Sequence, residues 1–294
     1  MRFTTWLVLI ATLALWSGNW IVARAVRDDV SPALATTGRV LLVLAILLPF
    51  AFFALMRKLP RLTRRDWAVL ALLGFTGGGP HLALQWLGLH YTTAASGILY
   101  LSTTPIFILL FSAALGDAIR LAQWAGVAIS FAGVTLIATQ GDPGALSFNA
   151  GDLLALASMV MWGGYTVLLR VRRDALEVIE LLCMVCAFGA LFMLPWLLVE
   201  ARQFTLTAAG AAAVVYSALG SLLLAYAGWS YVVARLGPAR AGVTLHLMPA
   251  LGVLMSAVFL GELPRWFHFA GIAAILAGVA LSSRLRASSV SSSR

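Results

Sequence analysis

The chain contains ten apolar runs, each about as long as a helix must be to cross a bilayer, and that pattern leaves few folds open. A hydrocarbon core of ~30 Å takes about 20 residues of helix. The runs fall at roughly 4–25, 31–56, 67–90, 93–115, 120–140, 150–170, 176–199, 207–232, 238–260 and 266–283, with short linkers between them. Charge supports the same reading. Charged residues make up 11% of the chain and hydrophobic ones 62%, against about 25% charged in a soluble domain. So few charges cannot cover a water-exposed surface, and the main partner of this surface is the lipid bilayer. The sequence therefore predicts an all-α integral membrane protein of ten transmembrane helices.

The net charge of +9 does not point to nucleic acid, because the basic residues sit in short clusters between apolar runs. Such clusters set membrane topology. With a cytoplasmic N-terminus, fifteen basic residues fall on the cytoplasmic side, including Arg57, Lys58, Arg61, Arg64 and Arg65 in one linker and Arg170, Arg172 and Arg173 in another. Four fall on the other side: Arg24, Arg27, Arg202 and Arg265. Both termini are expected in the cytoplasm. The first apolar run exceeds the 7–15-residue core of a signal peptide, so it reads as a retained helix. Cys183 and Cys186 form a CxxC inside an apolar segment with no second ligand pair, and read as small buried hydrophobes. No cofactor or metal motif is apparent. The serine-rich stretch 284–294 reads as a disordered cytoplasmic tail.

The chain also repeats itself. Residues 115–134 align without a gap on 260–279, with Leu115/Leu260, Gly116/Gly261, Arg120/Arg265, Gly126/Gly271 and Gly133/Gly278 identical and Asp117 paired with Glu262. Trp16, Gly18, Arg24, Arg27 and Asp28 align on Trp162, Gly164, Arg170, Arg173 and Asp174, and Pro105 corresponds to Pro249. The period is about 145 residues, so the chain divides into a first five-helix repeat (1–145) and a second (146–283). Five helices are an odd number, so the second copy enters the membrane from the opposite side. Two inverted five-helix repeats are a common transporter plan, with the substrate site near the midplane where the repeats meet.

Candidate site residues follow from polar and aromatic side chains near mid-span. Trp16, Asn19 and Trp20 share one face of helix 1, at i, i+3 and i+4. Trp162 and Tyr165 occupy the related face of helix 6. Interfacial aromatic belts are the alternative reading, but these residues lie away from their segment ends. In helix 3, Gly77-Gly78-Gly79-Pro80 weakens the backbone ladder, and His81 and Gln85 share a face of an otherwise apolar segment. Tyr100 in helix 4, Tyr226 and Trp229 in helix 8, and Thr244 and His246 in helix 9 complete the set; for each, packing is an equal alternative. Arg39, inside helix 2, can snorkel, bind a neighbouring carbonyl or hydroxyl, or meet a substrate carboxylate, and the structural role is the favoured reading. No carboxylate sits at mid-membrane. That favours neutral or zwitterionic substrates over dications, moved by facilitated diffusion or by coupling through a histidine.

These features resemble the drug/metabolite transporter superfamily in its ten-helix EamA-type branch. The resemblance rests on Trp16/Gly18 and Trp162/Gly164, on Pro105 and Pro249, on Leu115–Asp117 and Leu260–Glu262, and on the Gly-x6-Gly pairs Gly126/Gly133 and Gly271/Gly278. Arg39 in the second helix also looks like the family, and the likeness covers nearly the whole chain. Asp117 stands where glutamate is commoner. The resemblance implies alternating access by two pseudo-symmetric halves and export of amino acids, metabolites or xenobiotics. Within the superfamily the chain looks most like the YddG-type exporters of aromatic and other amino acids. A drug exporter of the same fold is the alternative. A membrane-embedded lipid enzyme would need clustered acid, base or metal ligands in the linkers, and a channel would need charge rings or a filter loop; neither pattern is visible. Ten helices supply both halves, so a monomer should suffice.

Overall fold

The structure is a computed structural model that describes residues 3–26, 28–91, 100–142, 144, 150–200, 205–260 and 264–283. The expected tail at 284–294, the 145/146 boundary and Arg27, Arg202, Gly261 and Glu262 lie outside these residues. Ten helical spans follow in order: α1 (Phe3–Ala25), α2 (Pro32–Lys58), α3 (Arg64–Leu73, continuing as Pro80–Tyr91), α4 (Thr104–Ala114), α5 (Leu121–Ala138), α6 (Ala150–Val171), α7 (Val178–Glu200), α8 (Ala208–Tyr216, continuing as Ala225–Leu236), α9 (Pro238–Val243, continuing as Leu247–Leu260) and α10 (Trp266–Ser283). Seven of these are long and apolar enough to cross a membrane as they stand, and α4 and α10 are shorter apolar helices. Large apolar side chains such as Phe50, Phe53, Leu121 and Val199 are 70–83% exposed, an aggregation surface in water but the expected face toward lipid.

Local chemistry explains where spans begin and bend. Pro32 and Pro238 open α2 and α9, where a missing N–H costs nothing. Thr63 caps α3 in a reciprocal pair with Asp66, and Thr207 caps α8 by accepting from the Gly210 N–H at 3.1 Å. Pro49 and Pro195 lie inside α2 and α7 at equivalent depths. Among the described residues the structure departs from uninterrupted α-helices in several spans, and a turn at residues 102–103 precedes α4. Wider π turns occupy Gly74–Gly78 of α3 and Ser217–Leu224 of α8, and a 3₁₀ turn occupies Thr244–His246 of α9. The glycines of α3 foreshadow the first; the other two carry no such signal.

The repeats are inverted, and their packing shows it. Gly126 of α5 faces the Gly278 carbonyl of α10, Ser130 donates to the Ile275 carbonyl at 3.3 Å, and Gly133 faces the Gly271 carbonyl. Numbers rise on one helix as they fall on the other, so equivalent helices run antiparallel. The α2–α7 pair does likewise: Lys58, ending α2, reaches the Ala175 carbonyl at 3.1 Å and Glu180, near the start of α7, at 2.7 Å. The remaining contacts exchange under the same two-fold. Helix α1 packs on α8 and α9, as α6 packs on α3 and α4. On one membrane face the α1–α2 and α7–α8 linkers pair, with Ser31 N–H to Thr205 O at 3.1 Å and Thr207 N–H to Asp29 O at 2.9 Å. The opposite face carries the basic clusters, braced by ion pairs of Lys58 with Glu180, Arg170 with Asp117 and Arg172 with Asp174. Cys183 and Cys186 are free and buried in α7.

Candidate functional site

Helices α1, α3, α6, α8 and α9, with Leu101 just ahead of α4, meet around a cavity of about 40 Å³. Seven of the twelve candidates line it: Trp16, Asn19, Trp20, His81, Gln85, Trp162 and Tyr226. Sequence reasoning did not single out the other lining residues, Leu82, Leu101, Met159, Ser221, Leu245 and Met248. Most of these are apolar residues on apolar helices, where nothing in the pattern separates a cavity face from a lipid face.

Trp162 is the hub. Its ring stacks on His81 at 5.2 Å and on Tyr165 at 4.8 Å, and takes the edge of Trp16 at 5.2 Å. Tyr226 lies 5.0 Å away, tilted. Offset and edge-on geometries suit the ring quadrupoles. The π turns make the polar part of the site. An i→i+5 turn lacks the usual i→i+4 bond and frees a carbonyl for other donors. The Tyr226 hydroxyl donates to the Gly77 carbonyl at 2.7 Å, and the Trp16 indole N–H donates to the Ser221 carbonyl at 3.0 Å. Both acceptors sit within the two π turns, so the wall holds its aromatic groups by their polar ends. Ser217 donates to Asn19 Oδ1 at 2.7 Å and closes α1 onto α8. His81 Nδ1 lies 2.8 Å from the Ser158 carbonyl, and Ser158 Oγ is 3.1 Å from the His81 carbonyl. A carbonyl partner requires a proton on Nδ1.

The other five candidates do not line the cavity. Tyr165 is fully buried behind Trp162. Trp229 is also fully buried and donates from its indole to Thr166 at 3.1 Å. Tyr100 is half-buried, beside Asp152. Thr244 returns its hydroxyl to the Ala241 carbonyl at 2.6 Å, and His246 ties α9 to the turn ahead of α4 through the Ser102 carbonyl at 2.8 Å. A consequence can be measured. Thr244→Val removes a hydroxyl that serves only its own turn, and substrate KM is expected to stay within about twofold of wild type.

An inverted-repeat membrane protein with a central aromatic and polar cavity at the repeat junction has the plan of a secondary carrier. The comparisons agree, and the chain belongs to the EamA-like transporter family, which it matches over residues 4–139 and 149–284. The protein is thus a membrane transporter. It is 28% identical to an uncharacterized transporter of Archaeoglobus fulgidus, over 96% of this chain and 98% of that protein. It is 30% identical to a probable terminal-alkyne amino-acid exporter of Streptantibioticus cattleyicolor, over 94% of this chain and 92% of that one. An uncharacterized inner membrane transporter of Escherichia coli is 26% identical over 96% of this chain and 92% of its own length. A solved crystal structure superposes with a TM-score of 0.75 at 23% identity, covering 96% of this chain and 97% of that one, a likeness of fold.

Proposed function

We propose that the protein exports neutral amino acids, aromatic or branched, or closely related amphipathic metabolites, by alternating access of the central cavity. The observation that carries the proposal is the convergence of Trp16, Trp162 and Tyr226 with His81, Asn19 and Gln85 on one cavity where the repeats meet. Aromatic rings offer an apolar side chain a large contact area, while the polar groups set its orientation. The amino-acid exporter among its relatives supports the same substrate class.

As described, the cavity has room for a water or two, whereas ligand sites run to several hundred Å³. Loading therefore requires the walls to part. Trp20 and Gln85 lie toward the face of the α1–α2 linker, while Trp229, Thr166 and the contact of Gly242 with Ile108 close the side of the basic clusters. In this reading the basic face is cytoplasmic, both termini lie there, the protein resides in the inner membrane, and one copy is sufficient. The carrier cycles by opening α4 and α9 on one side and the aromatic mouth on the other.

The test is uptake by proteoliposomes of a panel of labelled amino acids, with and without an imposed pH gradient. Saturable uptake of aromatic or branched neutral members is expected. Insensitivity to the gradient would identify facilitated diffusion. If vesicles holding folded protein take up no member, the amino-acid assignment fails and the panel moves to xenobiotics.

A further inference from the structure

Arg39 is the most anomalous residue in the bundle. It lies seven residues inside α2, about 10 Å along the helix axis, and its side chain is 1% exposed. It does not snorkel. Its guanidinium carbon sits 5.6 Å from the centre of the Trp86 ring, and Nε and Nη2 have no hydrogen-bond partner among the described residues. Two further buried groups nearby are also unpartnered: the Trp86 indole N–H and the Thr36 hydroxyl one turn before Arg39. No ion pair to Arg39 forms among the described residues, whose ion pairs lie at the basic face of the membrane. The group nonetheless adjoins the transport site. Trp86, the ring it rests on, directly follows Gln85 of the cavity wall in the second segment of α3.

An arginine cannot readily shed its proton, and a desolvated cation without a counter-charge is costly at this depth. The contact with one indole face offsets part of that cost and leaves Nε and Nη2 without an acceptor among the described residues. The missing partner is an anion that the described chain does not supply. The planar fork matches a carboxylate bidentately, and the adjacent cavity is the route by which a solute would bring one. We infer that Arg39 anchors the carboxylate of the transported solute, and this rests on the carrier reading above. When the walls part, the carboxylate takes the fork of Arg39, with the Trp86 N–H and Thr36 hydroxyl as additional donors. The solute's side chain then lies against Trp16, Trp162 and Tyr226. The site selects for carboxylate-bearing substrates and against amines that lack a carboxylate.

The test compares two competitors of labelled phenylalanine uptake in proteoliposomes of the full chain. One is 3-phenylpropionate, with a carboxylate and no amine; the other is phenethylamine, with an amine and no carboxylate. Wild type is expected to be inhibited by phenylpropionate at concentrations at least about tenfold lower than by phenethylamine. Arg39→Gln should lose that discrimination and raise the phenylalanine KM about a hundredfold, and Arg39→Lys should restore part of both. Equal inhibition of wild type by the two competitors overturns the anchor, as does Arg39→Gln retaining the preference. If Arg39→Gln does not fold, the wild-type comparison decides alone. A second readout needs no transport: phenylpropionate is expected to raise the melting midpoint of detergent-purified wild type, and phenethylamine is not. No rise with phenylpropionate overturns the anchor. A rise without any amino-acid uptake would sink the amino-acid reading and keep the anchor.

Discussion

Trp162→Ala is expected to abolish measurable uptake, by about a hundredfold or more, and to lower stability by about 3–5 kcal/mol, the usual cost of truncating a buried tryptophan. Trp162 is 6% exposed and its ring meets Trp16, His81, Tyr165 and Tyr226 within 5.2 Å. Each well-oriented aromatic pair contributes about 0.5–1.5 kcal/mol beyond area burial, so four contacts are lost together. Function should suffer more than stability, because the void opens where the substrate's apolar side chain would lie. Trp162→Phe separates the two effects. It keeps a stacking ring for His81 and Tyr165, and should fold while losing uptake about tenfold through poorer contact with Trp16. Phe53→Ala is the control: at 70% exposed and facing lipid, it should leave uptake unchanged. The measurements are initial uptake rates at equal incorporated protein and melting midpoints in detergent. Wild-type uptake by folded Trp162→Ala would mean that the cavity is not the path.

What the sequence disclosed, and what it hid, follows from how a membrane erases contrast. The spans were plain because lipid demands long apolar runs. The duplication was plain because Leu115-Gly116-Asp117 and Leu260-Gly261-Glu262 punctuate it at one period. Cavity-lining residues were legible where chemistry was out of place: tryptophan at mid-span, or histidine and glutamine on an apolar helix. They were illegible where the lining is apolar, as with Met159, Leu245 and Met248, because core, cavity and lipid faces all favour such side chains. In α8 and α9 the sequence offered polar and aromatic residues without a phase. Tyr226 and Trp229 lie three apart in the regular helix Ala225–Leu236, yet Tyr226 lines the cavity while Trp229 packs behind it against Thr166. In α9, Leu245 and Met248 line the cavity, and Thr244 and His246 spend their polar groups on the Ala241 and Ser102 carbonyls. The carbonyls of Gly77 and Ser221 were invisible for a simpler reason: they are backbone, and only the helix defect makes them available.

The repeats could be held together by many weak contacts or by a few positions where nothing larger than glycine fits, and α5 against α10 decides between these. A Cβ built on Gly126 would lie 2.6 Å from the Gly278 carbonyl, and one on Gly133 would lie 2.6 Å from the Gly271 carbonyl. A Cβ on Gly278 would collide with the Gly126 carbonyl and with Ser130. In each case one of the obstacles is a backbone carbonyl on the partner helix, which no rotamer change relieves. Small residues at such crossings let helices approach closely in lipid, where no hydrophobic drive remains. Gly278→Leu is therefore expected to wedge the helices apart, costing more than the about 1–3 kcal/mol of ordinary overpacking. Most of the protein should be lost as aggregate on size-exclusion chromatography. Gly133→Leu, at the position equivalent to Gly278 in the first repeat, should lose a similar fraction, because the two-fold gives both the same environment. Gly252→Ala is the control. Its added Cβ meets nothing within 4 Å, so the usual helix preference for alanine, about 1 kcal/mol, should leave it at or above wild-type stability. A normal Gly278→Leu protein would mean that the glycine crossing is incidental and that α2 and α7, joined by Lys58 and Glu180, hold the halves in register. Failure of Gly278→Leu alone, with Gly133→Leu intact, would mean that the sequence symmetry is not a symmetry of forces.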